Sequence, residues 1–282
     1  MASIIDIHPH VICPDTTRYP LAPLGGTQST WSRDRPTSYE TMINEMDAAG
    51  VAKSAIVQAS TAYGHDNSYV AEAIAAHPKR FTGVFSVDVL APDAPERMRH
   101  WVGRKLTGMR LFTIGSTMTE QASWLDDPKT YPAWECAGEL GLSICLQMSA
   151  KAFPQMIKMI ERFPKVRVLL DHCGRPVLDD GPPYAAADSL FALAKYPAVY
   201  LKLTQRNFTE SRKGNATPDT FFPKLVSAFG ASRLAWGSNY PSSEGSLSEL
   251  LALATSSLTC LSASDQDWIF AKTAQSLYPA LA

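Results

Sequence analysis

Residues 4–10 read IIDIHPH, and the fold assignment starts from this stretch. Ile4, Ile5 and Ile7 form an apolar, β-branched run of strand character that ends on two histidines one residue apart. On extended backbone, residues i and i+2 face the same way, so the imidazoles of His8 and His10 can converge beyond the strand end. The first run covers residues 3–8, and seven more follow at 54–58, 81–88, 107–112, 142–147, 166–172, 199–203 and 233–239. Most are nearly continuous in apolar character, as in parallel strands covered on both faces. Helical patterns occupy residues 38–49, 67–76, 94–101, 132–140, 153–163, 185–196, 220–229, 247–254 and 265–277. The first opens on Ser38 and stops at Gly50, a capping residue and a terminator. Eight strands alternating with helices predict an α/β protein, a (β/α)₈ TIM barrel, as one domain over residues 1–282.

Two stretches interrupt the repeat. Residues 13–37 and 205–218 are polar and read as loops after strands one and seven, on the barrel face where active sites are built. Composition narrows the partners. A net charge of −1 lacks the basic footprint that nucleic acid or an anionic membrane surface requires. No apolar run reaches the roughly 18 residues of a membrane span, and no basic segment leads into an apolar signal stretch. Five scattered cysteines without CxxC spacing argue against a disulfide framework or a structural zinc site. The expectation is a soluble, cytoplasmic protein acting on a small molecule, with homo-oligomer formation left open.

A third histidine falls at a strand end, His172 in VRVLLDHCGRP, and the barrel topology puts it on the same face as His8 and His10. His77 and His100 read as solvated, whereas His65 follows strand two in TAYGHDN and stays in view. Strand eight closes on WGSNYP, residues 236–241. Together, DIHPH at strand one, GMRLF at strand four, DHCGRP at strand six and WGSNYP at strand eight resemble the amidohydrolase-related barrels. RYPL after strand one, YGHDN after strand two and the terminal SLYP extend the likeness over almost the whole chain. Within that family the pattern is most similar to lactonases acting on 2-pyrone-4,6-dicarboxylate and on sugar lactones.

The resemblance implies a hydrolytic water held between the histidines and a strand-eight aspartate, but Asn239 occupies that position. A carboxamide can orient water and cannot take its proton. Three routes to a nucleophile remain. One divalent metal, zinc or manganese, on His8, His10 and His172 would acidify a bound water. A metal-free site would use His172 or His10 as base, and Glu244 is a third candidate. Strand four offers Arg110 and no lysine, so the carbamylated lysine of binuclear relatives has no counterpart. A mononuclear site or none stays open, since the pyrone lactonases that the pattern resembles work without metal and the family does not decide between the two.

Arg110, Arg175, Lys202 and Arg206 cluster near the rim and together predict a carboxylate-bearing substrate, although any one alone reads better as a structural ion pair, such as Arg175 with Asp171 or Asp179. Tyr19, Tyr63, Trp31 and Tyr240 are candidates for an aromatic wall, and Cys173 reads as packing. The expected activity is hydrolysis of a lactone or related cyclic ester or amide. His8, His10, His172 and Asn239 carry the chemistry, and Arg110, Arg175, Tyr19, Tyr63, Lys202 and Arg206 the substrate. The alternatives are a metal-dependent decarboxylase or hydratase of the same superfamily, and a barrel that only binds a small acid.

Overall fold

The computed structural model describes residues 3–282, so Met1 and Ala2 of the expected domain lie outside the described residues. Eight strands pair in parallel in chain order: β1 Ile4–Asp6, β2 Val51–Val57, β3 Phe81–Phe85, β4 Leu106–Phe112, β5 Ser143–Gln147, β6 Arg167–Leu170, β7 Val199–Leu203 and β8 Leu234–Trp236. The Ile7 N–H donates to the Trp236 carbonyl at 3.2 Å, drawing the first and last strands together. This is the TIM barrel that the eight runs predict.

Several strands stop earlier than their apolar runs. The terminal residues leave the ladder because their backbones turn toward the barrel mouth. Asp6 Oδ1 takes the His8 N–H at 2.9 Å, and His172 and Asn239 adopt left-handed backbone with φ of 55° and 59°. Helices pack outside, and Tyr39–Ala49 begins and ends where its caps require. Ser38 Oγ accepts the Thr41 N–H, and Gly50 turns the chain at φ 72°.

Four expectations change, the first at Thr30–Asp34, a short helix inside the expected 13–37 loop. Residues 185–196 break into short turns around Asp188–Phe191. The 265–277 pattern becomes Ala263–Asp267, a wide turn over Trp268–Lys272, and Thr273–Leu277. The 205–218 stretch is not all loop: Gln205–Glu210 is helical, started by a reciprocal cap between Thr204 and Asn207.

The apolar core has two parts. One lies between strands and helices, and a smaller one fills the barrel with Ile5, Ile7, Ala55, Val57, Val84 and Leu169. The C-terminal segment plugs the floor of that interior, with Tyr278 fully buried against Cys145. Gly108 makes room, since a Cβ there would meet the Tyr278 ring at 2.7 Å. With the floor closed, chemistry is confined to the opposite mouth. Among the described residues no helix is long and apolar enough to cross a membrane.

Candidate active site

His8 and His10 leave β1 on the mouth side and meet His172, which follows β6. The His8 ring centroid lies 5.0 Å from that of His10 and 5.2 Å from that of His172. Gly237 permits the approach, because a Cβ there would come within 2.5 Å of His8 Cβ. Asp6 ties the two strand ends by accepting both the His8 and the Ser238 N–H through one oxygen.

Hydrogen bonding sets the tautomers. His10 Nδ1 lies 2.8 Å from the Val57 carbonyl, which only accepts, so the proton sits on Nδ1 and the lone pair on Nε2. His172 Nδ1 faces the Thr204 hydroxyl at 2.7 Å, and that hydroxyl has Asn207 Oδ1 as its own acceptor at 3.4 Å. His172 Nε2 is thereby also left as an acceptor. Burial, followed by nearby positive charge from Arg110, lowers His10 to about 3. Burial likewise lowers His172 to about 3, against the pull of Asp171. His8 is lowered well below its usual value by burial and then by the charge of Lys202. All three rings are neutral at pH 7.

Beneath the rings lies a buried ion cluster. Asp171 Oδ2 accepts from Arg110 Nε at 2.9 Å, and Oδ1 lies 2.9 Å from Lys202 Nζ. Arg110 also donates to Gln147 Oε1 at 2.6 Å. Burial opposes ionisation of Asp171, but the Lys202 and Arg110 charges outweigh it and hold the carboxyl well below its usual range.

Above this layer opens a cavity of about 450 Å³ bounded by His10, His172, Arg110, Arg175, Arg206 and Asn239, with Trp31 beside His10. Arg175 is not in an ion pair with Asp171 or Asp179, and Arg206 likewise has no acidic partner among the described residues. Burial and then the charge of Arg206 lower the Arg175 guanidinium, so an arriving anion would relieve two crowded cations. The Asn239 amide donates to Ser243 Oγ at 3.0 Å.

The structure moves five expected residues off the cavity, among them His8, which is fully buried against His10 and His172 and absent from the lining. Lys202 is fully buried on Asp171, because it points into the barrel instead of up at the rim. The Tyr19 hydroxyl is taken by Glu72, and that of Tyr63 by the Cys13 N–H at 2.8 Å. Tyr240 also lies outside the lining. Glu244 borders the mouth with its side chain 90% exposed and lies 3.9 Å from Arg35, a poor setting for a base. The sequence reading had missed Gln147 and Thr204 and had seen Asp171 only as a partner for Arg175. The acid ending a buried run in LLDH was the available signal.

The donor set does not fit a divalent metal ion. Two of the three rings offer free Nε2 atoms, and both nitrogens of His8 lack partners. Yet Asp171 is already shared by two cations, Asp6 is raised by burial and bonded to the His8 and Ser238 N–H groups, and Asn239 adds no charge. A dication would enter a layer that is already net positive. No group of three or more His, Cys, Asp or Glu side chains among the described residues is arranged to hold one.

Neutral buried histidines make stability depend on pH. In the unfolded chain they protonate near 6.5, whereas His10 and His172 stay neutral in the fold down to about 3. Stability should therefore fall as pH drops below 6.5, by about 1.4 kcal/mol per pH unit for each ring. Asp6, raised by burial, acts with the opposite sign. Urea midpoints from pH 7 to 5 for the parent and His172→Gln separate the two, and an unchanged slope in the variant would refute the assignment.

An eight-stranded parallel barrel with histidines, a β6 aspartate and strand-end cations at its mouth defines an amidohydrolase-type enzyme scaffold. The sequence profile of the family described as Amidohydrolase matches residues 5–280, and the chain belongs to that family. An L-fucono-1,5-lactonase of Burkholderia ambifaria is 29% identical over 123 residues, which are 42% of this chain and only 41% of that relative. Two solved structures share the fold. A Pseudomonas putida protein assigned as a 2-pyrone-4,6-dicarboxylic acid hydrolase has a TM-score of 0.81 at 20% identity, covering 100% of this chain and 99% of its own. A Burkholderia multivorans amidohydrolase with bound zinc has a TM-score of 0.77 at 21% identity, covering 99% of both chains.

Proposed function

We propose that this barrel hydrolyses a carboxylate-bearing lactone. The observation that carries the reading is the pair of guanidinia without acidic partners, Arg175 and Arg206, bordering the same cavity as two neutral imidazoles. The lactonase and pyrone hydrolase among the similar proteins support the same chemistry. The arginines hold the substrate carboxylate in bidentate fashion. Asn239 and the Nε2 atoms of His10 and His172 orient a water at the ring carbonyl. As the C–O bond forms, negative charge on the carbonyl oxygen is stabilised by the Arg110 guanidinium. The proton of the water passes to His172 Nε2. That imidazolium, with its ordinary value lowered to about 3, is a strong acid and returns the proton to the departing ring oxygen. A base this weak predicts slow turnover.

A panel of δ- and γ-lactones, with and without a carboxylate, assayed with chelator and with added zinc or manganese, tests the reading. Hydrolysis of acidic lactones that survives chelation is expected. Arg175→Ala should raise KM for them about a hundredfold, the cost of a charge-assisted bidentate pair, and leave neutral lactones unaffected. No turnover of any acidic lactone under either condition sinks the proposal. Tight binding of the acids without turnover would instead leave a small-acid-binding barrel.

A further inference from the structure

A second cavity of about 240 Å³ lies beside the first, and Arg110 and Phe112 form part of the wall of both. It occupies the side of the mouth above β3 and β4, with Val89, Leu90, Leu111, Met118 and Trp124 among its lining. Two loops close it together. The Thr117 hydroxyl donates to the Leu24 carbonyl at 2.9 Å, and Gly25, at φ 86°, lets the two backbones touch.

Several polar groups on this wall are already engaged. Arg110 is held by Asp171 and Gln147. Ser86 Oγ faces His65 Nδ1 at 2.9 Å, and its backbone N–H and carbonyl are both taken by Asn67. Asp88 accepts the Leu90 N–H. Burial lowers His65, so that ring is uncharged at neutral pH. What remains for recognition is mostly apolar surface. The volume exceeds the roughly 150 Å³ of an apolar cavity that holds benzene. Phe112 is fixed at the boundary, with the Arg110 guanidinium 5.3 Å from its ring and Gly115 beneath it, where no Cβ could clear the ring.

We propose that this chamber is a subsite for an uncharged, six-membered ring or branched alkyl group carried by the substrate. The substituent passes Phe112 while the carboxylate stays at Arg175 and Arg206. The proposal rests on the acid-binding part of the reading above and not on turnover.

Calorimetric titration with two unreactive acids tests it, tetrahydropyran-2-carboxylate and a phenyl-substituted derivative. The phenyl-bearing acid should bind about tenfold tighter or more, the factor that burial of one aromatic ring supplies. Leu90→Trp and Met118→Trp each place an indole in the chamber from a partly exposed wall. Either should erase that advantage and leave the affinity for the smaller acid unchanged, which also shows that the variant is folded. Equal affinities in the parent, no binding of the phenyl-bearing acid, or an advantage that survives both variants overturns the subsite. Because binding is read directly, absence of lactone turnover would count against the catalytic reading alone.

Discussion

Asn239→Asp is expected to accelerate hydrolysis of acidic lactones by about a hundredfold or more, the contribution of a positioned general base. In the parent the proton acceptors that face the proposed water are imidazoles with values of about 3, three to four orders of magnitude weaker as bases than free imidazole. An aspartate there brings an ionised carboxylate to the same cavity wall. The backbone tolerates it, since φ is 59° and Asp shares with Asn the ability to occupy left-handed conformation. Ser243 Oγ, which accepts from the amide at 3.0 Å, can turn its proton to donate to the new carboxylate. The new group is ionised above a reference value near 3.9, so kcat/KM should rise through the acid range and level off below neutrality. An unchanged or lower kcat/KM across the lactone panel would place Asn239 away from the attacking water.

The strand-end chemistry was legible because it depends on order along the chain. His8, His10, His172, Arg175 and Asn239 each follow an apolar run, and a parallel barrel delivers all run ends to one face. Lys202 shows where this stops. In β7 it shares a side with Tyr200, while Val199, Leu201 and Leu203 face the helices. Both faces of a barrel strand are covered, so apolar content does not say which side is interior, and a lysine in such a run was read as rim. Tyr19 and Tyr63 failed for another reason. Tyr19 lies on a loop and Tyr63 ends the one-turn helix Ser60–Tyr63, and both are placed by contacts such as Tyr63 with Cys13 and Tyr19 with Glu72 that no periodicity encodes. The helix Gln205–Glu210 was missed because polar composition outweighed its capping signal at Thr204 and Asn207. The second cavity was invisible for the same reason as the tyrosines, since two loops remote in sequence build it.

The largest loss of stability is expected from Asp171→Asn. The substitution keeps the shape of the side chain and removes the only carboxylate shared by Arg110 and Lys202, whose side chains are 5% and 0% exposed. Breaking a buried pair on one side leaves charge without a partner and costs about 3–5 kcal/mol. For a chain of this size that lowers the melting temperature by roughly 10 °C. Activity should fall with it, because Arg110 loses the bond that aims it and His8 Nδ1 loses the carboxylate 3.6 Å away. The sign with pH is distinct from that of the histidines. A carboxyl held below its ordinary value stabilises the fold above about 3.9, and that stability is lost only as pH falls further. The parent's decline between pH 6.5 and 5 therefore belongs to the imidazoles and should persist in Asp171→Asn from a lower baseline. Adding Lys202→Met to Asp171→Asn removes one orphaned charge and should restore about half of the lost stability, with no return of activity. If the double variant melts no higher than the single one, the cost lies in packing around residue 171 and not in the uncompensated charge.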